Sequence, residues 1–321
     1  MPGAKKVLLP LVTSSSFACV VLSEGHAKFK TKVSLGNGVV VIPRLSLKPD
    51  SSWLEQLGTV FGNRVAKSDC VLSASEAGVT RATLQRRAEL AYWATVINCR
   101  PTGSHAHLLA GEVVNGRVDI RLVTLLPRYI YANGNMPRPW TPPLLKASAP
   151  VFRGILQIDN DDNASRCLRR GLNVLLSTLS ATVLQDRLHG HVRALTALLD
   201  LPRNKGTAGF ADRMQTLCVC SPAHDYDTFY NLYDLRSKIE HMLDPKEANP
   251  SLSDTLFKEH IESQTRLAER AALGVYQRIL SDQSLLAIFS DATQLKSFWN
   301  LPPTTRRSKW GKAIHVDGRV R

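Results

Sequence analysis

Arg236 and His241 are separated by four residues in the run Asn231-Leu-Tyr-Asp-Leu-Arg-Ser-Lys-Ile-Glu-His241. The two residue types suit each other chemically. A histidine with an ordinary pKa of about 6.5 takes or gives a proton at neutral pH. An arginine is always charged and can hold phosphate oxygens in a bidentate fork. Ser237 adds a hydroxyl able to orient an imidazole or a phosphate. The spacing by itself says little. Among 26 arginines and nine histidines it recurs at Arg100 and His105, in a Pro-Thr-Gly-Ser loop. The setting of the two pairs distinguishes them.

Arg236 lies on an expected helix whose apolar stripe is Leu232, Leu235, Ile239 and Leu243. At about 100° per residue, Arg236 borders this stripe and His241 faces away from it, about 140° round from Arg236. On a straight helix the two do not converge. Either the helix distorts or a second copy of the chain completes the site, which makes a homodimer the expected assembly. Tyr233, Asp234 and Glu240 are placed to support the pair. A plainer reading has Arg236 bridging to Glu240 at i,i+4 and leaves His241 exposed near the helix C-terminus.

Several familiar sites are missing. The sequence has no GxxxxGK[ST], GxGxxG, HExxH or GxSxG pattern. His105-Ala-His107 would share one face of a strand, but no further ligands can be placed, so surface histidines are expected. His189-Gly-His191 reads as a helix-junction feature. The six cysteines form no CxxC pair. We therefore expect no metal, no cofactor and reduced thiols. Lys5 and Lys6 precede an apolar run broken by Pro10 and Ser14–Ser16, which is not a secretory signal, so a cytoplasmic location is expected.

Length and composition place these residues in a two-domain chain. The 321 residues are 44% apolar and 21% charged, ordinary for a globular protein, and no apolar stretch is long enough to cross a bilayer. The net charge of +14 divides unevenly: +10 over residues 1–150, −1 over 151–300 and +5 over 301–321. An excess of this size suits a polyanionic partner. It predicts steeply salt-dependent binding of such a partner through residues 1–150 or the basic tail, where Arg306, Arg307, Lys309 and Lys312 are the candidate contacts.

The expected fold is α+β, with a mixed α/β domain over 1–150, an all-α bundle over 151–300 and a tail over 301–321. In the first domain, Gly38–Leu47 reads as a strand and Thr80–Ile97 as a helix. His107–Val114 and Arg117–Leu125 read as a hairpin about Asn115-Gly116, a sequence suited to a type I′ turn. Pro137–Pro143 reads as a connector. In the second, Leu168, Leu172, Leu175, Leu179 and Val183 form a core stripe, followed by Leu188, Val192, Leu195 and Leu199. Phe210–Cys218, Ser221–Leu243, Leu256–Leu280 and Leu285–Trp299 complete the helical reading.

The run Leu232–His241 resembles the signature of HEPN domains (higher eukaryotes and prokaryotes nucleotide-binding), most closely the Apea-like branch. The segment from Arg187 to Leu199 is similar to that family's second helix. Phe210-Ala-Asp-Arg213 resembles the segment after it, and Arg266-Leu-Ala-Glu-Arg270 through Leu280 resembles the closing helix. The resemblance covers roughly residues 160–300. Met242 replaces the glycine usual after the histidine, and Thr196 stands where an acidic residue is frequent.

The resemblance implies a metal-independent endoribonuclease of a toxin or antiviral-defence type. Arg236, His241 and Ser237 would be its catalytic residues. The RNA 2′-OH would attack, leaving 2′,3′-cyclic phosphate and 5′-OH ends, and residues 1–150 would sense or recruit. A neutralising or sensing partner is compatible with such a role. The alternatives are a catalytically silent nucleic-acid- or nucleotide-binding module and a dimeric interaction protein.

Overall fold

A computed structural model describes residues 16–22, 29–43, 51–66, 68, 70–100, 106–114, 117–132, 140–161, 166–202, 206–220, 224–241 and 253–316. The fold is α+β. The chain divides into two compact units, one of residues 1–129 with 137–156, the other of 130–136 with 157–321.

The first unit is built on a six-stranded sheet in the order β2-β3-β4-β1-β5-β6, with every pairing antiparallel. Its strands are β1 (Ser16–Leu22), β2 (Val33–Gly36), β3 (Val39–Pro43), β4 (Cys70–Ala74), β5 (Ala106–Val114) and β6 (Arg117–Leu125). The central strand β1 is buried on both faces. Phe17, Cys19 and Val21 form a core with Ile42, Val71 and Leu109, joined by Leu57 and Val65 of α1 (Ser51–Ala66). Helix α2 (Arg81–Cys99) packs on β1, β4 and β5. The Thr80 hydroxyl caps its start by accepting from the Thr83 N–H, and Arg100 ends it at φ 50°. The expected hairpin is β5–β6, with a bulge between Ala110 and Gly111 where any Cβ would strike the Asp119 carbonyl. Its Asn115-Gly116 turn lies outside the described residues.

Helix α3 (Pro142–Asn160) begins inside the proline-rich stretch and continues through Pro150. The expected boundary at residue 150 therefore falls within a helix, and the division by packing comes at 156/157.

The second unit holds α4 (Arg166–Ser180), α5 (Leu184–Leu199), α6 (Gly206–Leu217), α7 (Asp225–Glu240) and α8 (Asp254–Ser281). Beyond them come α9 (Gln283–Ser290), α10 (Ala292–Asn300), α11 (Pro303–Trp310) and a short parallel pair, β7 (Cys218–Val219) with β8 (Ile314–His315). The expected stripe of α4 is buried, but Val183 lies beyond the helix and is 50% exposed. Two glycines let α4, α5 and α8 approach closely. A Cβ on Gly190 would strike the Thr178 side chain, and one on Gly171 would strike the Tyr276 hydroxyl, which donates to the Ala194 carbonyl at 2.9 Å.

Leu285–Trp299 is two helices rather than one, because Asp291 ends α9 and its carboxylate accepts from the Gln294 N–H to start α10. The segment expected as a basic tail is folded as far as residue 316. The indole N–H of Trp310 donates to the Leu217 carbonyl at 3.0 Å, and Val316 is buried.

Candidate active site on α5 and α7

Helix α7 has the charge order its dipole favours, with Asp225 and Asp227 in the first turn and Lys238 in the last. Phe229, Leu232 and Leu235 are buried, while Ile239 is half-buried. The side chain of Arg236 retains 14% exposure, in keeping with its place beside the stripe. Its guanidinium pairs with Glu240 at 2.5 Å and lies 5.5 Å from the centre of the Tyr233 ring, which in turn packs on Phe210. The Nε of Arg236 is buried and has no hydrogen-bond partner among the described residues. Asp234 pairs with Lys238 at 3.0 Å, on the exposed side of the helix. Ser237 is half-buried, and its carbonyl accepts the His241 N–H at 3.2 Å. His241 is the exposed C-cap, and among the described residues its ring makes no hydrogen bond or ion pair with Arg236 or Ser237. Met242 lies outside the described residues.

The packing of α5 against α7 puts a different histidine within the electrostatic reach of Arg236. His189 of α5 is half-buried, and its Nδ1 is enclosed without a hydrogen-bond partner among the described residues. Burial lowers its pKa below the usual value, and the charges of Arg236 and Arg193 add to this against Glu240 and Asp186. His189 is therefore held neutral at pH 7, as a proton acceptor must be.

The orientation of α5 follows from an ion cluster in the core. The carboxylate of Glu269 is 0% exposed. It accepts from Arg187 at 2.6 Å and from the Ala132 N–H at 3.0 Å, with His191 Nε2 3.6 Å away. Arg187 also donates to the Ile130 carbonyl at 2.9 Å. Arg187 and His191 are four residues apart and share one face, so His189 between them falls on the opposite side, by α7. The Gly190 flanked by these histidines serves the close approach to α4. The sequence signal for His189 was the His-Gly-His run, which does not say which histidine turns outward.

The remaining candidates separate by burial. Arg306 is half-buried with its guanidinium over the Trp299 ring, 5.5 Å from the ring centre, and its pKa is lowered by burial, so it packs rather than reaching for phosphate. Arg307, Lys309 and Lys312 are exposed. Arg100 caps α2 in the first unit, and its sequence partner His105 lies outside the described residues. His107 is buried in the sheet, edge-on to Phe61 at 5.1 Å. Burial pushes the Cys19 thiol up to about 12 and raises Cys218 as well, which makes both poor nucleophiles. Among the described residues no three His, Cys, Asp or Glu side chains are grouped to hold a metal, and no helix is long and apolar enough to cross a membrane.

No family model matches the chain, and neither a curated protein nor a solved structure matches it.

Proposed function

We propose that the helical unit is a HEPN-like, metal-independent endoribonuclease of a toxin or antiviral-defence type. The observation that carries this reading is the half-buried guanidinium of Arg236, near the end of α7, with α5 packed against that helix and its His189 within the electrostatic reach of Arg236. His241 caps the same helix a few residues on. RNA supplies its own nucleophile, so the site needs only proton transfer and charge stabilisation. A histidine takes the proton from the 2′-OH as that oxygen attacks phosphorus. Arg236 leaves Glu240 and binds the equatorial oxygens of the phosphorane, where charge develops. A second histidine gives a proton to the departing 5′ oxygen. The test is end-group analysis of a cleaved RNA, which should show 2′,3′-cyclic phosphate and 5′-OH ends. Ends of 3′-OH and 5′-phosphate overturn the mechanism.

His189 fits the role of base, and this has a pH signature. Because its pKa is lowered, it stays unprotonated down to pH values below the ordinary 6.5. The acid limb of kcat/KM is expected below pH 6.5, and in His189→Gln the limb should vanish along with most of the rate. A limb unchanged in the variant removes His189 from the reaction.

Arg236 and His241 do not converge within one chain, so a homodimer is expected to complete the site. Sedimentation should give a dimer at micromolar concentration. A monomer with full cleavage activity contradicts this.

A second reading is favoured by the Arg236–Glu240 ion pair, which occupies the cation as an ordinary surface bridge would. In that case the chain binds RNA and leaves it intact.

A further inference from the structure

Residues 151–300 carry a net charge of −1, and several of the arginines described in the helical unit are already engaged. Arg187 and Arg236 pair with carboxylates, while Arg213 and Arg278 donate to backbone carbonyls. The outer face of α4 differs. Arg166, Arg170, Asn173 and Ser177 follow one another at steps of four, three and four residues, so they lie within about 60° of one another and run about 16 Å along the helix. All four are exposed, and neither Arg166 nor Arg170 makes an ion pair or hydrogen bond among the described residues. These residues, with Arg169 and Val174, line an open groove of about 470 Å³. None of the described lining residues is acidic. Arg169 forms the fixed wall, its guanidinium donating to the carbonyls of Ile158 and Asp161 at 2.6 Å each.

We propose that this groove on α4 binds the phosphodiester backbone of single-stranded RNA, delivering it to the helical unit. The choice of occupant rests on the ribonuclease reading and on charge complementarity. Two free guanidinium forks one helical turn apart match successive phosphates. Asn173 and Ser177 extend the row with neutral donors suited to sugar and phosphate oxygens. Half-buried Val174 gives an apolar floor between them. The stripe reads no base edges, so binding is indifferent to sequence. The inward face of α4, with Leu168, Leu172, Leu175 and Leu179, is buried in the core and fixes the row in place.

The test uses a fluorescent 2′-O-methyl oligoribonucleotide, which cannot be cut by 2′-OH attack, titrated into the full chain at several salt concentrations. Arg166→Ala/Arg170→Ala should weaken binding by about tenfold at low salt. It should also reduce the magnitude of the log–log salt slope by about 1.4, for two phosphates at about 0.7 each on a single strand. Arg166→Lys/Arg170→Lys should restore most of the affinity and slope, and melting should not change, since both side chains are exposed. Equal binding and slope for wild type and the alanine variant overturn the groove, as does no oligonucleotide binding by wild type. Loss of binding to phosphatidylserine vesicles with oligonucleotide binding intact would assign the groove to a membrane surface instead and overturn the proposal. If wild type binds the probe through these arginines yet leaves ordinary RNA uncut, the ribonuclease reading fails and the groove stands.

Discussion

His241→Ala and Arg236→Ala should each slow RNA cleavage by about 10²–10⁴-fold, the range for removing a proton-transfer group or a phosphate clamp. His241 is an exposed cap, so its loss should leave the melting curve unchanged. Arg236 is mostly covered by Tyr233 and Glu240, and its replacement should cost a further ~0.3–0.5 kcal/mol from the lost i,i+4 pair, plus some packing of its stem. Arg100→Ala, from the pair of equal spacing, should cut at the wild-type rate, because Arg100 is the C-cap of α2 in the other unit. The proposed steps route through no metal, so EDTA should not slow the reaction. The measurement is cleavage of a labelled RNA by the purified variants, with thermal melts alongside. Wild-type rates in both the Arg236 and His241 variants would end the mechanism. So would activity lost to a chelator and restored by a divalent ion.

Glu269→Ala should cost about 3–5 kcal/mol of stability, a large share of the ~5–15 kcal/mol typical of a folded domain. The carboxylate is fully buried, and removing it strands the charge of Arg187, itself 7% exposed, and the N–H of Ala132. Replacing both partners, as in Glu269→Leu/Arg187→Met, should recover much of the loss, since no unpaired charge then remains inside. Urea unfolding monitored by circular dichroism checks this through the midpoint at constant slope. A loss below about 1 kcal/mol for the single variant would mean that water or a rearrangement satisfies Arg187. Because the same cluster orients α5, Glu269→Ala should also lower the cleavage rate beyond its effect on the folded fraction.

Local pattern was enough to place many elements. The α2 helix, the β3 strand, the β5–β6 arms and the stripes of α4, α5 and α7 all follow from periodicity and caps, which act over a few residues. The α+β class followed from them. So did the position of Arg236 at the border of its stripe and of His241 outside it, because both depend only on the helical repeat.

What escaped the sequence depended on partners distant along the chain. β1 has no alternation to mark it, since Phe17 to Leu22 are buried on both faces by elements that arrive later. The strand order β2-β3-β4-β1-β5-β6 reflects pairings that no local signal encodes. Residues 301–321 read as a basic tail, yet Trp310 is held by the Leu217 carbonyl, and the half-buried Arg306 lies over Trp299. His189 and His191 are chemically identical in sequence. Only the carboxylate of Glu269, 78 positions beyond His191 in the chain, turns one inward and leaves the other on the side of α5 that meets α7. A side chain's chemistry is written in the sequence, but its burial, neighbours and protonation are set by whatever the fold packs against it.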